Sequence, residues 1–280
     1  MTDTSEKAPE FDLATLRVDI DRIDVDMHRL LMERGEIINR LIQVKARQGG
    51  GSAFRPGREA DMMRRLVQRH KGLLPLDTVE GIWRIIISTF TYVQSSYSVH
   101  VDATGGDAAM RDTTRFHFGF TVPYVPQVNA EAVIYAVARS GGDLGIVRID
   151  GGMGAGAWWL GLCEPTAPKI IARLPFVDRA DHPANLQVFI LSAPLAEATA
   201  RDVIVYSVCI ARWRKSLAGK IEALGGEILG NVGTENGLSL LISAPGSVAQ
   251  EQLSHIFMET GTSSVRIHEI GSHATRYQVR

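Results

Sequence analysis

Four polar side chains stand where the helical spacing of the first hundred residues calls for apolar ones. Arg34 lies between Leu30 and Ile37 at a seam position, where a buried guanidinium needs an anionic partner. Lys45 follows eleven residues later, so the two cations share one helix face about 16 Å apart along the axis. Glu59 precedes Met62, Met63 and Leu66 by three, four and seven residues and faces the same interior. Gln94 comes eleven residues after Trp83, three turns on and at nearly the same azimuth. Singly, each has a plainer account: Arg34 and Glu59 pairing, Lys45 reaching solvent at a helix end, Gln94 on an exposed shoulder. Together they describe a pocket inside a helical bundle, with cationic ends and hydrogen-bonding groups between, suited to a small polyanionic, hydroxylated ligand.

The elements that must position these groups are helices. Leu13, Leu16, Ile20, Ile23, Met27, Leu30, Ile37, Leu41 and Val44 follow a three-four spacing, the seam of a long helix. Asp12 suits its N-cap, and Gly49, Gly50 and Gly51 stop it near Gln48, for a rod of roughly 55 Å. A second helix is expected from Pro56 to about Lys71-Gly72. A third is expected beyond Pro75, with Val79, Trp83, Ile86, Phe90 and Val93 on its apolar stripe. One overlong helix and two shorter ones leave apolar surface bare in a single copy, and a dimer of paired long helices repairs this. Arg17 sits about 25 Å along the rod from Arg34 and roughly 100° away, so it cannot reach the same pocket in its own chain. In an antiparallel dimer it closes the partner's site, giving two symmetric shared sites. A coiled-coil module without chemistry is the alternative to this reading.

The run Leu16-Arg17, Ile20, Ile23-Asp24, Leu30-Leu31, Glu33-Arg34, Val44-Lys45, Arg55-Pro56 and Arg58-Glu59 resembles the AroQ-class chorismate mutase pattern over nearly ninety residues. The resemblance implies an all-α, three-helix domain over 11–98 that forms an intertwined homodimer and converts chorismate to prephenate without cofactor or metal. It makes Arg34 and Arg17 of the partner subunit the clamps for two substrate carboxylates, with Arg58 lining the pocket. Glu59 accepts from the ring hydroxyl, and Lys45 and Gln94 flank the ether oxygen. Arg55 and Phe90 depart from the best-known members at positions that bear on carboxylate and hydroxyl contact. The chemistry suits this inventory. A unimolecular rearrangement needs its flexible chain folded over the ring, a task for arginine clamps, and donors preorganised toward the growing oxyanion.

With 45% hydrophobic and 22% charged residues and a net charge of −1, the 280-residue chain has the balance of an ordinary soluble protein of about two domains. Neither nucleic acid nor a membrane is indicated as a partner, and no stretch reaches about 18 apolar residues. Residues 1–10 read as a polar tail without an apolar leader, so the cytoplasm is the expected location. Cys163 and Cys209 read as two buried free thiols.

Composition shifts near residue 100, where an α/β region begins. From Asp202 the order is strand, helix, strand, strand, helix, strand: Val203 to Ile210, Trp213 to Leu224, Glu227 to Val232, Leu238 to Ala244, Val248 to Glu259 and Val265 to Ile270. That is a ferredoxin-like order. It is similar to an ACT regulatory domain, and the Val265 to Ser272 ending resembles the last strand of that domain in prephenate dehydratases. Residues 99–201, with Ala136-Val137-Ala138 and Gly142 to Val147, look like a remnant of the dehydratase domain. The expected partition is therefore 11–98, 99–201 and 202–280, with a small-molecule effector possible at the C-terminal region. The glycines at 151, 152, 154 and 156 fit no phosphate-loop spacing, and His182 and His273 read as satisfied structural histidines. Thr114-Arg115-Phe116, the chain's one copy of the dehydratase signature, lies far from its place in that family, so no dehydratase activity is expected. Four readings compete with this mutase with a regulatory or structural C-terminal half. They are a bifunctional mutase and dehydratase, an isochorismate pyruvate lyase, a non-catalytic sensor and the helical module already named.

Overall fold

The computed structural model describes residues 12–47, 54–149, 156–195, 200–259, 261 and 265–279. The expected tail over 1–10, the stop at Gly49 to Gly51, and Gly151, Gly152 and Gly154 lie outside the described residues. The chain divides into two units, Met1–Gly51 and Ser52–Arg280.

In the first unit α1 runs Leu13–Arg47, 35 residues, about 52 Å at the α-helical rise. Thr15 Oγ1 donates to Asp12 Oδ2 at 3.4 Å at its start. Ion pairs such as Arg22–Asp26 at 3.6 Å and Arg29–Glu33 at 3.5 Å decorate it. No residue of α1 is buried. Its apolar seam is open to solvent, with Ile20 56%, Leu30 54% and Ile37 57% exposed. Full burial of each such side chain would gain about 1.5–3 kcal/mol.

The second unit opens with α2 (Pro56–Arg69) and α3 (Leu76–Gln94), followed by β1 (Val99–Asp102), α4 (Asp107–Phe118), β2 (Tyr124–Gln127), α5 (Ala130–Arg139) and β3 (Leu144–Arg148). A short 3-10 turn (Trp158–Leu162), β4 (Lys169–Leu174), β5 (Val177–Asp178) and β6 (Val188–Ser192) come next. The remainder is β7 (Val203–Ile210), α6 (Leu217–Ala223), β8 (Glu227–Thr234), β9 (Gly237–Pro245), α7 (Gln250–Glu259), β10 (Arg266–His273) and β11 (Tyr277–Gln278). Nine strands form one sheet in the order β2-β1-β3-β6-β4-β10-β7-β9-β8, and β11 pairs with β5 apart from it. β1 is parallel to both β2 and β3, as expected where helices α4 and α5 make the crossovers. The apolar runs of β3 and β6 are buried between two clusters, one around Val133, Trp158 and Phe189, the other around Val99, Met110 and Ile190.

The last four long strands stand in the order β10-β7-β9-β8, antiparallel throughout, with α6 and α7 packed through Leu217, Ile221, Leu253 and Phe257. This is the ferredoxin-like arrangement expected from residue 202 onward. Its strands join those of 99–201 in the one sheet, because β10 pairs parallel with β4 at Gly271 and Ile170. Gly271 has φ 146°, and a Cβ there would lie 2.2 Å from the Ile170 carbonyl oxygen. Only glycine fits that approach.

The expected stripe of α3 is buried only in part: Val79 is buried, and Trp83, Ile86 and Phe90 are half-buried. Val93 is 59% exposed, whereas Asp77, Glu80, Arg84, Ser88 and Thr91 are buried beside Val79 and Ile87. Both Glu80 carboxylate oxygens accept backbone N–H groups, from Phe176 at 2.8 Å and Val177 at 3.0 Å, so polar partners supplied by β5 and its approach turn the helix. The two cysteines are free but half-buried, less enclosed than expected.

Candidate functional site

Pro56 opens α2, where its missing N–H costs nothing and its fixed φ suits the first turn. One turn later Glu59 points at α3, and Arg84 Nη1 donates to its Oε2 at 2.8 Å. The pair is largely desolvated, with side chains 10% and 23% exposed. It borders a small enclosed pocket of about 60 Å³, with Ser88, Thr91, Tyr97 and Met63 also in the wall. That is space for a few waters. Ser88 donates to Arg84 O at 2.8 Å, and burial pushes the Tyr97 phenol up, so it remains a donor. Nearby His117 is fully enclosed on α4. Burial, then the positive charge of Arg84, holds it well below its ordinary range, so it is neutral.

Of the expected site residues, Arg17, Arg34 and Lys45 lie on α1, the first exposed and the other two half-buried. Arg58 and Glu59 occupy consecutive positions of α2, and Arg58 is exposed. Gln94 ends α3 with its Nε2 donating to Phe90 O at 3.0 Å. Within the second unit, Glu59 is the expected residue that lines the enclosed pocket, and Arg58 and Gln94 stand outside it. Arg55 and Phe90, the two departures, are both half-buried.

Residues 16–95 match the family profile described as chorismate mutase type II. This segment is a chorismate mutase type II domain. All six expected site residues, from Arg17 to Gln94, fall inside the matched mutase span. The chain is 27% identical over 143 residues to a bifunctional chorismate mutase/prephenate dehydratase of Aquifex aeolicus, a match covering 50% of this chain and 39% of that one. The protein of the same description from Pseudomonas aeruginosa is 27% identical over 147 residues, covering 51% and 40%. These matches thus span about 40% of the length of those relatives. The structure of a prephenate dehydratase from Streptococcus mutans aligns with 65% of this chain and 100% of its own at 10% identity, with a TM-score of 0.42.

Sequence reasoning did not find Glu80, Arg84 or His117, and it read His182 as a structural histidine. The signal for Glu80 and Arg84 was polarity at i, i+4 spacing in α3 (Glu80, Arg84, Ser88), overlooked because the mutase segment's apolar stripe sits one residue away. His182 is enclosed, with Nδ1 accepting from Ala184 N at 3.0 Å and Nε2 lying 3.5 Å from Glu80. Among the described residues no group of histidine, cysteine and carboxylate side chains is arranged to hold a metal, and no helix is long and apolar enough to cross a membrane.

Proposed function

We propose that the protein is a chorismate mutase, an isomerase that rearranges chorismate to prephenate in the cytoplasm, working as a homodimer with two shared sites. The match of residues 16–95 to the chorismate mutase type II profile carries this reading. The solvent-exposed apolar seam of α1 supports the dimer. In each site Arg34 and Arg17 of the partner subunit hold the substrate carboxylates and fold the enolpyruvyl chain over the ring, with Arg58 alongside. Lys45 and the Gln94 amide donate to the ether oxygen as charge grows there, and Glu59 accepts from the ring hydroxyl. For this role Gln94 Nε2 leaves the Phe90 carbonyl when substrate enters. The reaction requires no cofactor. Regions 99–201 and 202–280 serve a regulatory or structural role, the latter as an ACT-like unit.

A second reading, with dehydratase activity as well, is favoured by the names of the relatives. Against it, the Thr-Arg-Phe triplet is absorbed by the fold. Thr114 is buried and donates to Met110 O at 2.7 Å, and Arg115 donates to the Gly119 and Val122 carbonyls at 2.9 and 3.1 Å. Incubation with chorismate or isochorismate, with and without later acidification, separates mutase from lyase. Incubation with prephenate at neutral pH tests the dehydratase, and enzyme-dependent phenylpyruvate would establish it.

A further inference from the structure

Buried groups that the mutase reading leaves unused gather in one place on the second unit. A cleft of about 550 Å³ is lined from β4, β5, β7, β9 and the C-terminal segment through β11, in the size range of small-molecule sites. Arg173 on β4, 12% exposed, donates from Nη2 to Gln187 Oε1 at 2.6 Å and from Nη1 to the exposed Glu227 at 3.4 Å. Its buried Nε–H has no partner among the described residues. Arg276, 9% exposed, donates from Nε to Pro175 O at 2.8 Å and from Nη2 to Asp178 at 2.9 Å.

His273, at the end of β10, is 2% exposed. Its Nδ1 lies 2.8 Å from the Ala274 carbonyl, which only accepts, so Nδ1 carries the proton and Nε2 presents a lone pair. Nothing among the described residues donates to that lone pair. The carboxylates nearby are engaged. Asp178 also accepts from Gln278 at 2.5 Å, and Asp202 accepts from Arg64 and from Thr275 N at 3.0 Å. Two guanidiniums thus line the cleft, one of them with a buried donor unmet, together with the buried, unmet acceptor of His273. Each unmet group costs about 1–3 kcal/mol, and a ligand that satisfies both removes that cost.

We propose that this cleft binds a small oxyanion that carries an O–H group, a hydroxycarboxylate or a monohydrogen phosphate. Its anionic oxygens accept from Arg173 Nε and the Arg276 guanidinium, and its hydroxyl donates to His273 Nε2. Burial keeps His273 neutral at pH 7, so the acceptor is in place there. No residue of the cleft falls within 16–95, so the site stands independently of the mutase reading.

Calorimetric titration of the full chain with L-malate, succinate and inorganic phosphate tests it. Malate is expected to bind at least about tenfold tighter than succinate, which has the same carboxylates but leaves His273 Nε2 unmet. Saturable binding of malate alone assigns a hydroxycarboxylate, and of phosphate alone a phosphoryl ligand. His273→Leu removes the difference between malate and succinate, and Arg173→Gln weakens the bound probe about tenfold or more. The proposal is overturned if neither malate nor phosphate binds below about 10 mM, or if succinate matches malate. It also fails if both folded variants bind as the wild type does. The comparison of acids on the wild type holds even if a variant does not fold.

Discussion

Arg84 Nη1 and Glu59 Oε2 meet at 2.8 Å and tie α3 to α2 across 25 residues of sequence. Both side chains are mostly removed from water, so breaking the pair from one side leaves an uncompensated charge. Arg84→Met should lower unfolding free energy by about 3 kcal/mol in urea denaturation. Combining it with Glu59→Gln should cost less than the sum of the two single changes. Additive losses would show that the two side chains do not couple.

Gly271→Ala should be more damaging than its size suggests. The added methyl meets the Ile170 carbonyl at 2.2 Å, and φ 146° is unfavourable for any residue with a Cβ. A loss of about 3 kcal/mol is expected from overpacking and backbone strain together. An unfolding midpoint equal to that of wild type would mean that β10 does not approach β4 this closely.

Stability should fall on mild acidification. Burial lowers His273 to about 4 and holds His117 well below its ordinary range, whereas in the unfolded chain both titrate near 6.5. Between about pH 6.5 and 4 the unfolded chain takes up protons that the folded chain refuses, so stability is full above that window and drops as pH falls through it. His273 accounts for about 3 kcal/mol of the drop by pH 4. His273→Leu should flatten the dependence by that amount in urea midpoints measured across this range. An unchanged slope would contradict the assignment.

What was legible in the chain follows from what is local. The seam of α1 is written in a repeating pattern, and the helix runs Leu13–Arg47 as that pattern implies. The bounds of β7 at Val203 and Ile210 were readable from a short apolar run, and so was the ferredoxin-like order that follows. The buried face of α3 was not, because Glu80 is drawn inward by backbone N–H groups 96 and 97 residues away. The unmet Nε2 of His273 was equally hidden, since only the folded surroundings show that nothing donates to it. For the candidate site, the residue types of the mutase segment could be read. The Arg84 partner of Glu59 could not, because Arg84 lies off the apolar stripe used to orient α3.

If sites are shared, Arg17→Ala and Arg34→Ala chains, each inactive alone, should recover activity when mixed under conditions of subunit exchange. One of the two composite sites in the mixed dimer then carries neither change, so recovery should approach a quarter of wild type for random pairing. No recovery, with exchange verified by sedimentation of tagged chains, would place both arginines in one protomer's site.

The measurement that bears most directly on the account is chorismate turnover by the purified chain beside its Lys45→Ala variant, with prephenate followed as product. Wild type should convert chorismate to prephenate. The variant should lose about a hundredfold to a thousandfold in kcat with unchanged helix content, the effect of removing one preorganised donor to a developing oxyanion. A wild-type chain that leaves chorismate unchanged, or a Lys45→Ala chain that turns it over at the wild-type rate, would contradict the proposed mutase.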